Sequence, residues 1–145
     1  MNAIKSILIL AGIAVSSLFA TDETVELKVV ATGAKANTGQ LLLSVFDSEE
    51  SYLKRPVLEK QQPVGEAAET VFQIDGLAPG TYAVSIIYDE DSNGKLNTGF
   101  LGIPSELVGM SNNAKGLFGP PSFAKCAFSL SEDSIIEIAL SKAKN

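Results

Sequence analysis

Apolar residues that alternate with other residues at a period of two constrain the fold of this chain most strongly. The pattern occurs in residues 25–29, 41–45, 82–88 and 136–140, with shorter patterns at 71–74 and 126–130. Every second side chain of a strand points to the same face, so each segment is predicted to be a short strand with one face in a core. Gly, Pro, Asn and Asp, which favour tight turns, lie between the segments.

The connections between these strands indicate the fold class. Repeated helical crossovers, which a parallel sheet requires, are absent from the pattern. A single helix is expected at residues 47–54, where Asp47 can cap the first turn and Pro56 stops the last. The sequence therefore predicts an all-β fold, an antiparallel β-sandwich of immunoglobulin-like type with one long ordered loop excursion.

The first twenty residues are interpreted as a targeting segment. Lys5 precedes an apolar stretch, and the small residue Ala20 comes directly before the polar residues 21–23. This is the pattern of a secretory signal peptide cleaved after Ala20; the alternative is an N-terminal membrane anchor. The predicted domains are residues 1–20, a signal peptide, and residues 21–145, one sandwich. We expect the protein to be exported to the periplasm or the extracellular space, with no transmembrane segment once the signal peptide is removed.

Composition excludes several classes of function. The chain has no His and one Cys, which rules out imidazole-based catalysis, zinc clusters and an intramolecular disulfide. Its formal net charge of -6 argues against nucleic acid as a partner. Cys126 lacks a His to activate it as a nucleophile. It shares a predicted strand face with Phe128 and Leu130, so a buried, inert thiol is expected.

Residues 90–122 form the longest stretch without a predicted strand. A connection of this length in a small domain is usually functional or disordered. Eight large apolar residues lie in it and need something to pack against: Phe100, Leu101, Ile103, Leu107, Val108, Met110, Leu117 and Phe118. We therefore predict an ordered excursion, which lies over one end of the sandwich.

The excursion opens with a loop, residues 89–97, whose spacing matches the first half of a calcium site. Oxygen-bearing side chains stand at positions one, three and five, and a glycine stands at position six, where the chain must bend sharply. The side chains of Asp89, Asp91 and Asn93 are the predicted ligands, together with the backbone oxygen of Lys95 at position seven.

The second half of the calcium pattern is incomplete. Asn97 stands at position nine, but Phe100 occupies position twelve, where an EF-hand has a bidentate Glu. Glu106 or water could complete a weak Ca²⁺ site. The alternative is a loop in which Asp and Asn side chains form Asx turns around Asn93 and Gly94. Both interpretations remain open at this point.

Four stretches are similar to a known family. They are residues 89–97, Gly102-Ile103-Pro104-Ser105-Glu106, Ser111-Asn112-Asn113 with Gly119-Pro120-Pro121-Ser122-Phe123, and, upstream, Leu77-Ala78-Pro79-Gly80-Thr81-Tyr82-Ala83. In this order they resemble the secreted bacterial domain-of-unknown-function family 2141 over about residues 25–140. The resemblance implies a prealbumin-like or immunoglobulin-like sandwich in the cell envelope, and it implies no established activity. Asn97 stands where members often have Asp.

Two hypotheses for function follow. The first is a non-enzymatic binding or structural module of the envelope, whose partner is a protein or a surface polymer and whose loop is ordered by calcium. The second is a small hydrolase that uses loop carboxylates, with Asp89 paired to Asp91 or Glu106. Oxygens that converge on one point would favour the first, and carboxylates that face each other across a cleft would favour the second.

Overall fold

The alternating segments fold as strands, because each buries one row of side chains and leaves the other row at the surface. The computed structural model describes residues 22–143, and eight strands lie in this range. They are β1 (Val25–Thr32), β2 (Gln40–Phe46), β3 (Leu58–Pro63), β4 (Glu69–Leu77), β5 (Gly80–Asp89), β6 (Val108–Met110), β7 (Phe128–Leu130) and β8 (Ser134–Ala139). The predicted signal peptide lies outside the described residues.

The strands form two sheets. The smaller has the order β4-β1-β8 and the larger the order β3-β2-β5-β6, with β7 paired to the beginning of β5. All pairs are antiparallel except β1 with β8, which is parallel. The all-β sandwich predicted from the alternation is confirmed. No helix among residues 22–143 is both long and apolar enough to cross a membrane.

The core lies between the two sheets and contains the predicted alternate residues. Fully buried side chains of five strands form it, one each from β1, β2, β4, β5 and β8 being Leu27, Leu43, Phe72, Ile86 and Ile138. Burying a side chain of this size contributes roughly 1.5–3 kcal/mol relative to leaving it in water. This core fixes β5 at the centre of the larger sheet, and β5 ends at Asp89.

The helix predicted at residues 47–54 is wrong. These residues form turns, and Leu53 has a φ of 56°, which ends any helical run. The side chain of Ser51 donates a hydrogen bond to Asp47 Oδ1, and Ser48 Oγ accepts one from the backbone N–H of Ser51. Such local side-chain bonds offer the backbone an alternative to the helical pattern.

The strand predicted around Cys126 is only partly correct. Cys126 is the last residue of a one-turn helix, α1 (Phe123–Cys126). The turn forms because the backbone N–H groups of Lys125 and Cys126 both donate to the Ser122 carbonyl. The strand β7 begins only at Phe128. The predicted burial of Cys126 is confirmed. Burial raises the pKa of its thiol, although a hydrogen bond with the Tyr52 hydroxyl at 3.2 Å partly opposes this shift.

The excursion is ordered as predicted, but only part of its apolar surface packs against the sandwich. It contributes β6 to the larger sheet, and half-buried side chains such as Ile103 and Leu107 hold it there. The expectation that its large apolar residues pack against the rest of the chain is wrong for four of the eight. Phe100, Leu101, Leu117 and Phe118 have exposed fractions of 86, 80, 73 and 97%. They occupy short loops on either side of β6, where no further layer of the chain covers them among residues 22–143.

Candidate metal centre

The site begins at the end of β5, where sheet pairing buries an acid. Asp89 lies opposite Gln40 of β2, and its side chain is fully buried. Gln40 Nε2 donates to Asp89 Oδ2 at 2.6 Å, and Gln61 Nε2 of β3 donates to Gln40 Oε1 at 2.5 Å. Gly39 permits this close approach, since a Cβ there would lie 2.5 Å from the Asp89 carbonyl oxygen.

The loop after Asp89 folds back onto the same carboxylate. The backbone N–H of Asn93 donates to Asp89 Oδ1 at 3.0 Å, and that of Gly94 donates to Asp89 Oδ2 at 2.8 Å. Ser92 and Gly94 have φ values of 55° and 78°, which produce the tight bend. Gly adopts such angles without steric cost, as the sequence pattern requires at position six.

Burial and hydrogen bonding act on Asp89 in opposite directions. Burial raises the pKa of the carboxyl group, because it disfavours the charged form. The hydrogen bonds from Gln40, Gly94 and Asn93 stabilise the carboxylate and outweigh burial, so the pKa of Asp89 lies below its ordinary value. Asp89 is therefore an anion at neutral pH.

Glu106 reaches the site from the far end of a second turn. Thr98 and Pro104 form an isolated bridge, and the N–H of Ser105 donates to the Asn97 carbonyl at 2.9 Å. This closes the chain on itself and directs Glu106 inward, with an exposed fraction of 9%. Its carboxylate then accepts hydrogen bonds from the backbone N–H groups of Glu90, at 3.2 Å, and Asn97, at 2.9 Å.

Three carboxylates meet as a result. Asp89, Asp91 and Glu106 each offer one oxygen, and these oxygens lie within 4.8 Å of one another. The carboxylates differ in solvent exposure, since Asp89 is fully buried and Asp91 is exposed. A group of hard, anionic oxygens with one open side is suited to a divalent cation such as Ca²⁺ or Mg²⁺.

The two predicted amide ligands contact this carboxylate cluster through their nitrogen atoms. Asn93 Nδ2 donates to Asp91 Oδ2 at 3.0 Å and to Asn97 Oδ1 at 2.7 Å. Asn97 Nδ2 donates to Asp91 Oδ2 at 3.0 Å and to Glu106 Oε1 at 3.2 Å. In this arrangement the amides partly neutralise the carboxylates. Rotating an amide group by half a turn would present its oxygen instead.

Lys95, which was predicted as a ligand through its backbone oxygen, contacts Asn93 through its N–H group. Its side chain is exposed, and its N–H donates to Asn93 Oδ1 at 2.8 Å. That bond is an Asx turn, as the alternative interpretation of the loop expected. The loop thus contains Asx turns and converging carboxylates together, and a role for the Lys95 carbonyl stays a prediction.

A known protein family matches most of this chain. A family model described as "Uncharacterized protein conserved in bacteria (DUF2141)" matches residues 29–137, more than half of the chain. The chain belongs to this family. The matched range contains the whole carboxylate cluster and the excursion, and the resemblance predicted from sequence is confirmed. No curated protein matched the chain, and no solved structure did.

One motif that carries the DUF2141 resemblance has a structural role here. Ser111 is fully buried; its Oγ donates to the Cys126 carbonyl at 2.6 Å and accepts from the N–H of Val84 at 2.9 Å. Asn112 Nδ2 donates to the carbonyls on either side of Cys126, and Asn113 Oδ1 accepts from the N–H of Ala139. Ser111-Asn112-Asn113 therefore joins the excursion to β5, α1 and β8.

Sequence reasoning missed one contributor to the site. Gln40 donates the shortest hydrogen bond to Asp89, although 49 residues separate the two along the chain. It is placed by the register of β2 against β5, which aligns Gln40 with Asp89. No local motif signals such a pairing, because register depends on how two distant strands bury their faces.

Proposed function

We propose that this protein is an exported, non-enzymatic β-sandwich of the bacterial cell envelope that binds a protein or a surface polymer. In this proposal the loop of residues 89–97, together with Glu106, binds one calcium ion weakly. One observation carries the metal assignment: three carboxylates from a strand end, a turn and a second turn converge within 4.8 Å.

The electrostatics of the carboxylate cluster support a bound cation. Two unit charges 4.8 Å apart repel each other by about 3.5 kcal/mol at an effective dielectric constant of about 20. Backbone N–H groups and the amides of Asn93 and Asn97 offset part of this repulsion. A divalent cation would offset more of it, because it brings two full charges to the point where the oxygens meet.

Calcium suits the arrangement better than magnesium. Ca²⁺ accepts six to eight oxygen ligands in a flexible geometry, whereas Mg²⁺ requires a near-ideal octahedron. The cluster supplies three carboxylates from segments of different burial, with amide groups and solvent at its open side. Position twelve of the loop is Phe100, which has no oxygen ligand and is exposed. A site without a bidentate Glu there is expected to bind with a Kd on the order of 10⁻⁴ to 10⁻³ M.

The same geometry favours the binding module over the hydrolase. Glycoside hydrolases keep two carboxyl groups about 5–5.5 Å or about 6.5–9.5 Å apart across a substrate cleft, and one of them has a raised pKa. Here the oxygens converge, and Asp89 has a lowered pKa and three hydrogen-bond donors around it. These features suit a group that remains an anion and leave it poorly suited to donate a proton.

Calcium titration of two charge-matched variants tests the assignment. Asp91→Asn removes one negative charge from the cluster and keeps the shape of the side chain. Asp75→Asn removes the same charge from an exposed position of β4 in the other sheet. By isothermal titration calorimetry, we expect Asp91→Asn to weaken calcium binding at least tenfold and Asp75→Asn to change it less than twofold. Equal losses in both variants would indicate attraction by net charge alone and would contradict the site.

Export is tested independently of the metal. The proposal rests on the leader pattern of residues 1–20. Mass spectrometry of the protein from its native host should find a mature N-terminus near Thr21. An intact Met1 on protein from the cytosolic fraction would contradict export, and with it the supply of the millimolar calcium that a weak site needs.

A further inference from the structure

The outer face of the larger sheet carries an apolar trough of about 460 Å³, separate from the carboxylate cluster. Its floor contains Ser85 and Ile87 of β5, whose side chains point away from the core. Met110 and Val108 of β6, which pair with these two residues, complete the floor. Binding sites for small apolar ligands commonly have volumes of about 300–1,000 Å³.

Two loops form the walls of this trough. Leu101 lies in the loop before β6 and Phe118 in the loop after it; both line the trough and are largely exposed. Leu101 has a φ of 60°, a left-handed conformation that is sterically unfavourable for a residue other than Gly. Strained backbone and exposed large apolar side chains around one concave surface are features of ligand sites.

Charge at one end of the trough narrows the class of ligand. A smaller hollow of about 50 Å³ shares Val108, Met110 and Gly119 with the trough and is lined by Lys115 and Lys142. Neither lysine forms an ion pair with another residue in the range 22–143, and Lys115 Nζ donates to the Ser141 hydroxyl. No Asp or Glu of this range lines either hollow, although the whole chain contains 17 of them.

We propose that the trough binds a single-chain fatty acid. The alkyl chain lies on the floor between Leu101 and Phe118, and the carboxylate lies in the smaller hollow beside Lys115 and Lys142. The small hollow has room for a few water-sized groups, which suits a carboxylate.

Titration calorimetry with dodecanoate below its micelle concentration tests the proposal. The buffer contains a chelator, so that no metal can bridge protein and ligand. Burial of each additional CH₂ group tightens binding by up to about fourfold, so octanoate should bind at least tenfold more weakly than dodecanoate. Dodecyltrimethylammonium, which has the same tail and a positive head, should also bind at least tenfold more weakly. Equal affinity for the two head groups, or no binding of dodecanoate at millimolar concentration, would overturn the proposal.

Matched variants locate the bound tail. Leu101→Ser and Phe118→Ser change exposed residues of the walls, and each should weaken dodecanoate binding at least tenfold. Phe100→Ser and Leu117→Ser change equally apolar, exposed neighbours that do not line the trough. These two control variants should change the affinity less than twofold. Equal losses in wall and control variants would mean that the loop tips bind amphiphiles nonspecifically, and would overturn the trough as the site.

Two further variants locate the head group. Lys142→Gln should reduce the preference for dodecanoate over the cationic amphiphile at least fivefold. Lys125→Gln, an exposed lysine of α1 outside both hollows, should leave that preference unchanged. An unchanged preference in Lys142→Gln, or tighter binding of a lysophospholipid than of a fatty acid with the same tail, would overturn the carboxylate assignment.

Discussion

At the scale of single residues, Asp89 links the fold to the site. Its carboxylate is fully buried, accepts hydrogen bonds from both strand and loop, and has a pKa below its ordinary value of 3.8. A group whose folded pKa is depressed contributes stability above its unfolded pKa, and this contribution is lost as the pH falls through the folded value. Asp89 therefore stabilises the protein fully at neutral pH and progressively less below about pH 4.

Asp89→Asn tests this pH dependence. At pH 7 we expect its free energy of unfolding to fall by roughly 1–3 kcal/mol, because an amide NH₂ group would face a donor. Between pH 5 and pH 3 the variant should lose less stability than the wild type does. Urea unfolding at several pH values measures both effects. Parallel pH profiles in wild type and variant would contradict the lowered pKa.

Residues of the site differ in how far the sequence reveals them. The spacing of Asp89, Asp91 and Gly94 reflects a local turn, so it can be read directly from the sequence. The orientation of the Asn93 amide, which serves an Asx turn through its oxygen, depends on competition between local hydrogen bonds. Gln40 is visible only after β2 is aligned with β5. Local geometry was predictable here, and contacts set by strand register were not.

At the scale of elements, the same distinction separates predicted from missed strands. The strands β1, β2 and β5 each cover the core with alternate side chains, and this produces a period of two. The edge strand β3 has the sequence LEKQQP and no buried side chain, so the alternation is absent. The strand β6 has three residues, too few for any periodic signal. Burial on one face is therefore what makes a strand visible in this sequence.

Ser111 holds several of these elements together. The pairing of Ser85 with Met110 ends β6, and the Ser111 side chain accepts the next N–H of β5, that of Val84. Ser111→Ala would leave this N–H and the Cys126 carbonyl without their partner in the interior. We expect the free energy of unfolding to fall by roughly 2 kcal/mol in urea unfolding.

Ser129→Ala serves as the control, because it makes the same change at an exposed position of β7. Its effect should stay within about 0.5 kcal/mol. A loss of the same small size in Ser111→Ala would contradict the structural role of the Ser-Asn-Asn motif.

At the scale of the whole molecule, one excursion connects the carboxylate cluster to the apolar trough. Near the start of the excursion, the backbone N–H of Asn97 donates a hydrogen bond to the Glu106 carboxylate. A few residues later along the chain, Leu101 lines the trough. The sandwich supplies the rigid sheet under both, through β5. The fold and the family could be predicted from alternation and motifs, whereas the trough could not, because it arises from apolar residues that the sequence pattern assigns to a core.

Thermal unfolding of the wild-type protein, in calcium and in chelator, tests the central claim most directly. If free calcium exceeds the Kd tenfold, binding adds about 1.4 kcal/mol to the stability of the native state. For a domain of this size that corresponds to a rise in Tm of about 5 °C, and excess chelator should reverse it. Equal Tm values in the two conditions would contradict the account and leave residues 89–97 as an Asx-rich turn.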